Sequence, residues 1–285
     1  MPVVSMREIL EPAFRGRYGV GAFNIVNELT MAAVLDAAAQ QHSPVILQVS
    51  VKTVKVLGAK LIQLMFTELA SRCPAPATLH LDHCPDLSVI RTCLEAGWNS
   101  VLFDASSLSY EENLRQTKEV VAMARVYGAA VEGELEAVRG VEDGIGSEEG
   151  SDLVPLEKCV EFLDQTLVDS FAPAIGTAHG LYKTTPKIDF DRVEAIVRAR
   201  PTPIVLHGGT GLSNETFQGL IAAGCAKVNI STMLKIIYCD EYREYLDSKP
   251  QEHDPLRVMA HVHQSIVTMA KGFMETFGSA GKARE

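Results

Sequence analysis

Eight short apolar runs recur along the chain, each followed by a longer stretch of helical character. The runs are Val20–Ile25, Val45–Ser50, Ala77–His83, Ser100–Ala105, Ala130–Leu135, Ala172–Thr177, Pro203–His207 and Lys227–Ile230. Their apolar stretches suit parallel strands buried on both faces. Helix-like segments lie near 28–41, 58–72, 86–96, 110–127, 156–168, 189–199, 214–223 and 233–246, with one more near 255–276. Eight strand–helix units in one chain predict an α/β fold, a (β/α)8 TIM barrel with an extra C-terminal helix. An open doubly wound sheet competes, but no G-x-G-x-x-G follows the first run. The 285 residues match one barrel of about 250 plus an extension, so a single domain over 1–285 is expected.

Three histidines stand at the ends of three apolar stretches: His83 and His207 close their runs, and His179 follows Ala172–Thr177 after one more residue. In a barrel the carboxyl ends of the strands face the chemistry. One histidine is more often packed or hydrogen-bonded than a ligand. Three at equivalent positions reverse that expectation, because three imidazoles leave a fourth, open position on a zinc ion. His80 lies inside its run and is expected to be structural. His42, His253, His261 and His263 sit in helical or loop context, where surface or interface is the default.

Several acids also lie on or beside these strands. Asp82 precedes His83 and could exchange a proton with a substrate hydroxyl, or simply bond a neighbouring backbone group. Asp104 ends the fourth run, and Glu132 and Glu134 share a face of the fifth by the two-residue period of a strand. An acid in an apolar strand is costly unless paired or bound to a cation, and Glu134 is nearer the carboxyl end. The segment Glu136–Asp152 is acidic and glycine-rich. It reads as a solvated loop or as a lid carrying a catalytic acid or base, and its place after the fifth strand favours the lid. Gly208, Gly209, Thr210 and Gly211 follow the seventh run, and Asn229, Ile230, Ser231 and Thr232 close the eighth. Barrels frequently bind phosphate there, through backbone N–H groups and hydroxyls.

A formal net charge of −10 argues against a nucleic-acid partner, but a few local donors can still hold an anionic substrate. The six cysteines form no C-x-x-C pair, as expected of thiols in a reducing cytosol. Cys84 adjoins His83, but neighbouring strand residues face opposite ways. With no apolar leader and no membrane-length apolar run, a cytoplasmic protein with no membrane partner is expected.

The ordered motifs GAFNIVN (21–27), HLDH (80–83), SVLFDAS (100–106), VEGELE (131–136), GTAHGLYK (176–183), LHGGTGL (206–212), KVNIST (227–232) and FGSAGKA (277–283) resemble the class II, zinc-dependent fructose-bisphosphate and tagatose-bisphosphate aldolases. The resemblance runs nearly end to end. It implies a barrel that reversibly cleaves a phosphorylated ketose to dihydroxyacetone phosphate and an aldehyde. It implies His83, His179 and His207 as Zn2+ ligands, and Asp82 as the residue moving a proton at the C4 hydroxyl. It implies Glu142 as the loop acid exchanging a proton with dihydroxyacetone phosphate. Gly180, Gly208–Thr210 and Asn229–Thr232 match the phosphate-binding segments, and Asn24 resembles a substrate-contacting asparagine. Asp104 and Glu134 look like acids near a secondary cation position. A sodium or potassium ion near the phosphate and a homo-oligomer, dimer or tetramer, are further implications.

The resemblance loosens at Glu136, where the family often has glycine, and at His261 and His263, where related chains tend to carry proline and arginine. Histidine does not replace arginine's bidentate grip on phosphate. This leaves a ketose 1-phosphate with another distal group as the alternative substrate. Three other readings compete. A Schiff-base aldolase needs a lysine at a strand end, and Lys183 and Lys235 lie past the ends. A zinc hydrolase would use the same three histidines. A noncatalytic barrel subunit would be expected to have lost ligands or acids that this chain retains.

Overall fold

A computed structural model describes residues 3–138, 140, 153–180 and 186–283, and the backbone of 141–142 and 145–147. Eight strands close into a parallel barrel in the order β1-β10-β9-β8-β5-β4-β3-β2. They are β1 Val20–Asn24, β2 Val45–Ser50, β3 Ala77–Cys84, β4 Ser100–Asp104, β5 Ala130–Glu134, β8 Ser170–Ala172, β9 Ile204–Leu206 and β10 Cys225–Ile230. A separate antiparallel hairpin, β6 Gly140–Glu142 with β7 Ile145–Ser147, follows β5. The helices are α1 Met6–Gly16, α2 Glu28–Gln41, α3 Val51–Leu57, α4 Ala59–Ala70, α5 Leu87–Glu95, α6 Tyr110–Val126, α7 Leu156–Thr166, α8 Phe190–Ala199, α9 Asn214–Ala223, α10 Thr232–Ser248 and α11 Pro255–Thr276.

The strands sort their residues by face. Val45, Leu47 and Val49 of β2 and Leu79 and Leu81 of β3 face the helices and join the main core. Residues of the other parity fill the barrel in layers. Its floor is apolar: Val20, Ala22, Ile46, Ala130 and Ala226 pack against Met6, Ile9, Leu10 and Ala13 of α1. Sequence reading passes over α1, which closes the amino-terminal end of the barrel. Its start is set by Ser5, whose hydroxyl accepts the Glu8 N–H while the Glu8 carboxylate returns to Ser5. Above the floor the interior turns polar, with Gln48, His80, Ser100, Glu132 and Lys227 all buried.

Two elements differ from expectation. Residues 173–177 continue the apolar run after β8, yet the strand stops at Ala172. Pro173 offers no N–H to a ladder, and β8 pairs with β9 only at Phe171↔Ile204. The second difference concerns the last two helices. α10 follows β10 but buries only Leu234 and Tyr245. α11 buries Val258, Val262, Ile266, Val267, Ala270 and Met274. It packs along α2 and meets α9 through Phe217, whose ring lies 5.1 Å from Phe277. The extra C-terminal helix therefore covers the barrel wall between α9 and α2, and α10 lies outside it.

Candidate active site

The carboxyl ends of the strands bring the sequence-predicted residues together. A bulge in β3 makes this possible. Leu81 pairs with Val101, but Cys84 pairs with Phe103, so β3 carries one extra residue. That residue is His83, in the left-handed region at φ 43°. Asp82 and His83, which regular strand alternation would turn to opposite faces, thus both turn toward the barrel mouth, and Cys84 returns to the outer core.

The imidazoles of His83, His179 and His207 converge. Ring centroids lie 5.1 Å apart for His83 and His179, 4.7 Å for His83 and His207, and 6.0 Å for His179 and His207. One nitrogen from each lies within 4.8 Å of the others. Two tautomers follow from the neighbours. An ionised carboxylate only accepts, so His83 Nδ1 donates to Asp104 Oδ2 at 2.8 Å and His207 Nε2 donates to Glu132 Oε1 at 2.8 Å. This leaves His83 Nε2 and His207 Nδ1 buried without a hydrogen-bond partner. Orphaned lone pairs on converging imidazoles fit a metal ion, and carboxylates behind the ligand rings are the usual orienting partners.

The surrounding carboxylates favour positive charge at the barrel mouth, whether a proton on His83 or a metal ion that takes the proton's place. Burial opposes charge on His83, but Asp82, Glu134 and Asp104 outweigh it and hold its pKa well above the usual value. Burial pushes the Glu134 carboxyl well up, and Asp104 adds to the shift. Burial lowers His207, keeping it neutral as ligation requires. Glu134 Oε2 lies 3.7 Å from His83 Nδ1 and 3.8 Å from His207 Nδ1. His83, Asp104 and Glu134 form a second group whose ligand atoms lie within 4.8 Å of one another.

Sequence reading missed the support beneath. Lys227 Nζ lies 2.9 Å from Glu132 Oε2 and donates to Asn229 Oδ1 at 2.8 Å, all inside the barrel. Burial works to raise Glu132, but Lys227, the His207 hydrogen bond and His80 together hold it low. His80 bonds Ser100 through Nδ1 at 2.8 Å, as a structural histidine would. Lys227 is fully buried and engaged, a poor position for a Schiff-base amine.

Asp82 is held by a relay across three adjacent strands. Gln48 Nε2 donates to Asn24 Oδ1, and Asn24 Nδ2 donates to Asp82 Oδ2 at 2.7 Å. Asp82 Oδ1 is buried and without a hydrogen-bond partner. In the segments predicted to bind phosphate, Gly208 adopts φ 68°, and a Cβ there would lie 2.4 Å from the Ala178 carbonyl oxygen. At Gly209 a Cβ would meet Phe217 at 2.9 Å. Gly180 also has positive φ, 83°. Thr210 and Ser231 are buried, and Ser231 Oγ has no hydrogen-bond partner at the start of α10. Ile230 belongs to the outer core, so only its backbone is available to a ligand. Thr232 is the first residue of α10. The Glu142 side chain and Lys183 lie outside the described residues, as do residues 139, 143–144 and 148–152.

Known proteins match this chain over nearly its whole length. The family model described as fructose-bisphosphate aldolase class-II matches residues 4–282. A fructose-bisphosphate aldolase of Geobacillus stearothermophilus is 38% identical, covering 100% of both chains. A sulfofructosephosphate aldolase of Alkalicoccus urumqiensis is 34% identical over 100% of this chain and 99% of its own. The crystal structure of the YdjI aldolase of Escherichia coli K12 superposes with a TM-score of 0.88 at 30% identity, covering 99% of this chain and 100% of that one. The protein is thus a barrel lyase of the aldolase kind, and it belongs to the class-II fructose-bisphosphate aldolase family. That family is generally zinc-dependent and acts on phosphorylated sugars.

Proposed function

We propose that the protein reversibly cleaves a ketose bisphosphate, such as fructose 1,6-bisphosphate or tagatose 1,6-bisphosphate, to dihydroxyacetone phosphate and an aldehyde. The observation that carries the reading is the pair of orphaned nitrogens, His83 Nε2 and His207 Nδ1, facing a common centre with His179. A zinc ion held by these histidines supplies Lewis-acid stabilisation of the negative charge left when the carbon–carbon bond breaks. Asp82 takes the C4 hydroxyl proton through Oδ1, while Asn24 holds its other oxygen. Glu142 exchanges a proton with the carbon of the departing dihydroxyacetone phosphate half. Gly180, Gly208–Thr210 and Asn229–Thr232 bind its phosphate, with a sodium or potassium ion alongside. Asp104 and Glu134 orient His83 and offer a secondary cation position.

The alternative substrate is a ketose 1-phosphate with another distal group. It is favoured by the engagement of the two α11 histidines with neighbouring acids. His261 Nε2 lies 2.8 Å from Glu241 and His263 Nε2 lies 3.1 Å from Asp36. The relative named as a sulfofructosephosphate aldolase shows that family members differ in substrate name. We also place the protein in the cytoplasm as a homo-oligomer, a dimer or tetramer, with exposed Leu246 and Leu256 on the α10–α11 hairpin available for contact. Among the described residues no helix is long and apolar enough to cross a membrane.

The test is triose phosphate release from a panel of ketose bisphosphates and ketose 1-phosphates, with chelator and zinc add-back. Cleavage lost on chelation and restored by zinc is expected, and the preferred substrate identifies the aldehyde. Cleavage indifferent to chelation would discard the three-histidine mechanism. Zinc binding without any cleavage would point to the noncatalytic reading.

A further inference from the structure

Glu136 lies two residues beyond β5 and is fully buried. Its Oε1 accepts the Val154 N–H at 2.9 Å and pairs with the Arg192 guanidinium, and its Oε2 accepts the Ala174 N–H at 3.0 Å. Arg192 also donates to the Val154 carbonyl at 2.9 Å and to Cys159 Sγ at 3.5 Å. A carboxylate removed from water is costly unless its charge and lone pairs are met. Here one side chain draws four segments together.

Those segments are the ones that have to agree for the site to form. Glu136 leads out toward Glu142, and Val154 lies on the return toward α7. Ala174 belongs to residues 173–180, which carry His179 after β8 has ended. Without a continuing strand, that run is placed by side contacts. Asp189 N–H donates to the Ile175 carbonyl at 2.9 Å. Gly140, at the start of β6, lies so close that a Cβ would fall 2.6 Å from the His179 carbonyl oxygen. The outgoing arm of the loop therefore packs directly on the backbone of His179.

We infer that Glu136, braced by Arg192, is a positioning residue that fixes the His179 run relative to both stems of the segment carrying Glu142. The inference rests on the proposed roles of His179 and Glu142 and gives them a shared mechanical support.

Glu136→Gln tests it. The amide keeps the volume but has one accepting oxygen, so either Val154 or Ala174 loses its N–H acceptor. Zinc affinity, measured by chelator competition, should fall about tenfold or more. The visible spectrum of the cobalt-loaded protein should change, and kcat should fall with KM within roughly twofold. Arg192→Lys, which keeps the charge, should show a smaller loss than Arg192→Ala. If the variants have a lower Tm but wild-type zinc affinity, cobalt spectrum and kcat, Glu136 is merely structural and the inference falls. If the wild type itself takes up no zinc, the proposed function falls and this inference with it.

Discussion

At the scale of single residues, the site depends on which nitrogen of each imidazole is free. The three candidate ligand histidines are visible in sequence because they end, or closely follow, apolar runs. What orients them is not. Glu132 and Lys227 lie far apart in the chain and meet only when β5 and β10 close the barrel, 2.9 Å apart. The bulge at His83 is equally hidden, since strand alternation alone would turn Asp82 and His83 apart. Glu132→Gln tests the support directly. A glutamine can still accept from His207, but without the carboxylate's charge, and Lys227 is left as a buried, unpaired cation. Zinc affinity should fall about 10–100-fold, with stability lower by about 3–5 kcal/mol in the zinc-free protein. Chelator competition and urea unfolding measure the two separately. An unchanged zinc affinity would show that His207 needs no carboxylate behind it.

At the scale of elements, α1 is the piece whose contribution is easiest to isolate. Its apolar stripe seals the barrel floor against Val20, Ala22, Ile46, Ala130 and Ala226. Leu10→Ala should destabilise the protein by about 2–5 kcal/mol, the range for emptying a well-packed core position. Because the floor lies at the opposite end of the strands from the histidines, zinc affinity at 25 °C should be unchanged. Loss of zinc binding in a folded Leu10→Ala protein would show that the two ends are coupled. The signal for α1 was present in the sequence: Ser5 and Glu8 have capping-box spacing, and Met6, Ile9, Leu10 and Ala13 have helical spacing. The end of β8 was less legible. APAIGTA reads as a strand by apolarity, but β8 ends at Ala172, and Pro173 has no N–H to carry its ladder onward. The helix expected over 58–72 is α4, while α3 before it was not anticipated; Gly58 separates the two at φ 86°.

At the scale of the molecule, the barrel interior changes from an apolar floor to a crowded acidic mouth. Asp82, Asp104, Glu132 and Glu134 are all buried there, and Lys227 is the buried lysine among them. Burial raises the pKa of Glu134, and repulsion from the neighbouring carboxylates, Asp104 first, adds to the shift. A divalent cation at the histidines relieves that repulsion and satisfies the orphaned nitrogens, so zinc should act as part of the folded structure. A ligand that binds only the folded state stabilises it by RT ln(1 + [L]/Kd), about 4 kcal/mol at a thousandfold excess over Kd. For a chain of this size that is roughly 5–10 °C in Tm. Thermal unfolding with zinc and with chelator should differ by that order, and the shift should scale with the logarithm of free zinc. His179→Ala removes one proposed ligand and leaves the four buried acids in place, so it should lose most of the zinc-dependent rise above its own chelator-treated Tm. If it retained the full rise, zinc would be stabilising the fold from somewhere other than the three-histidine centre.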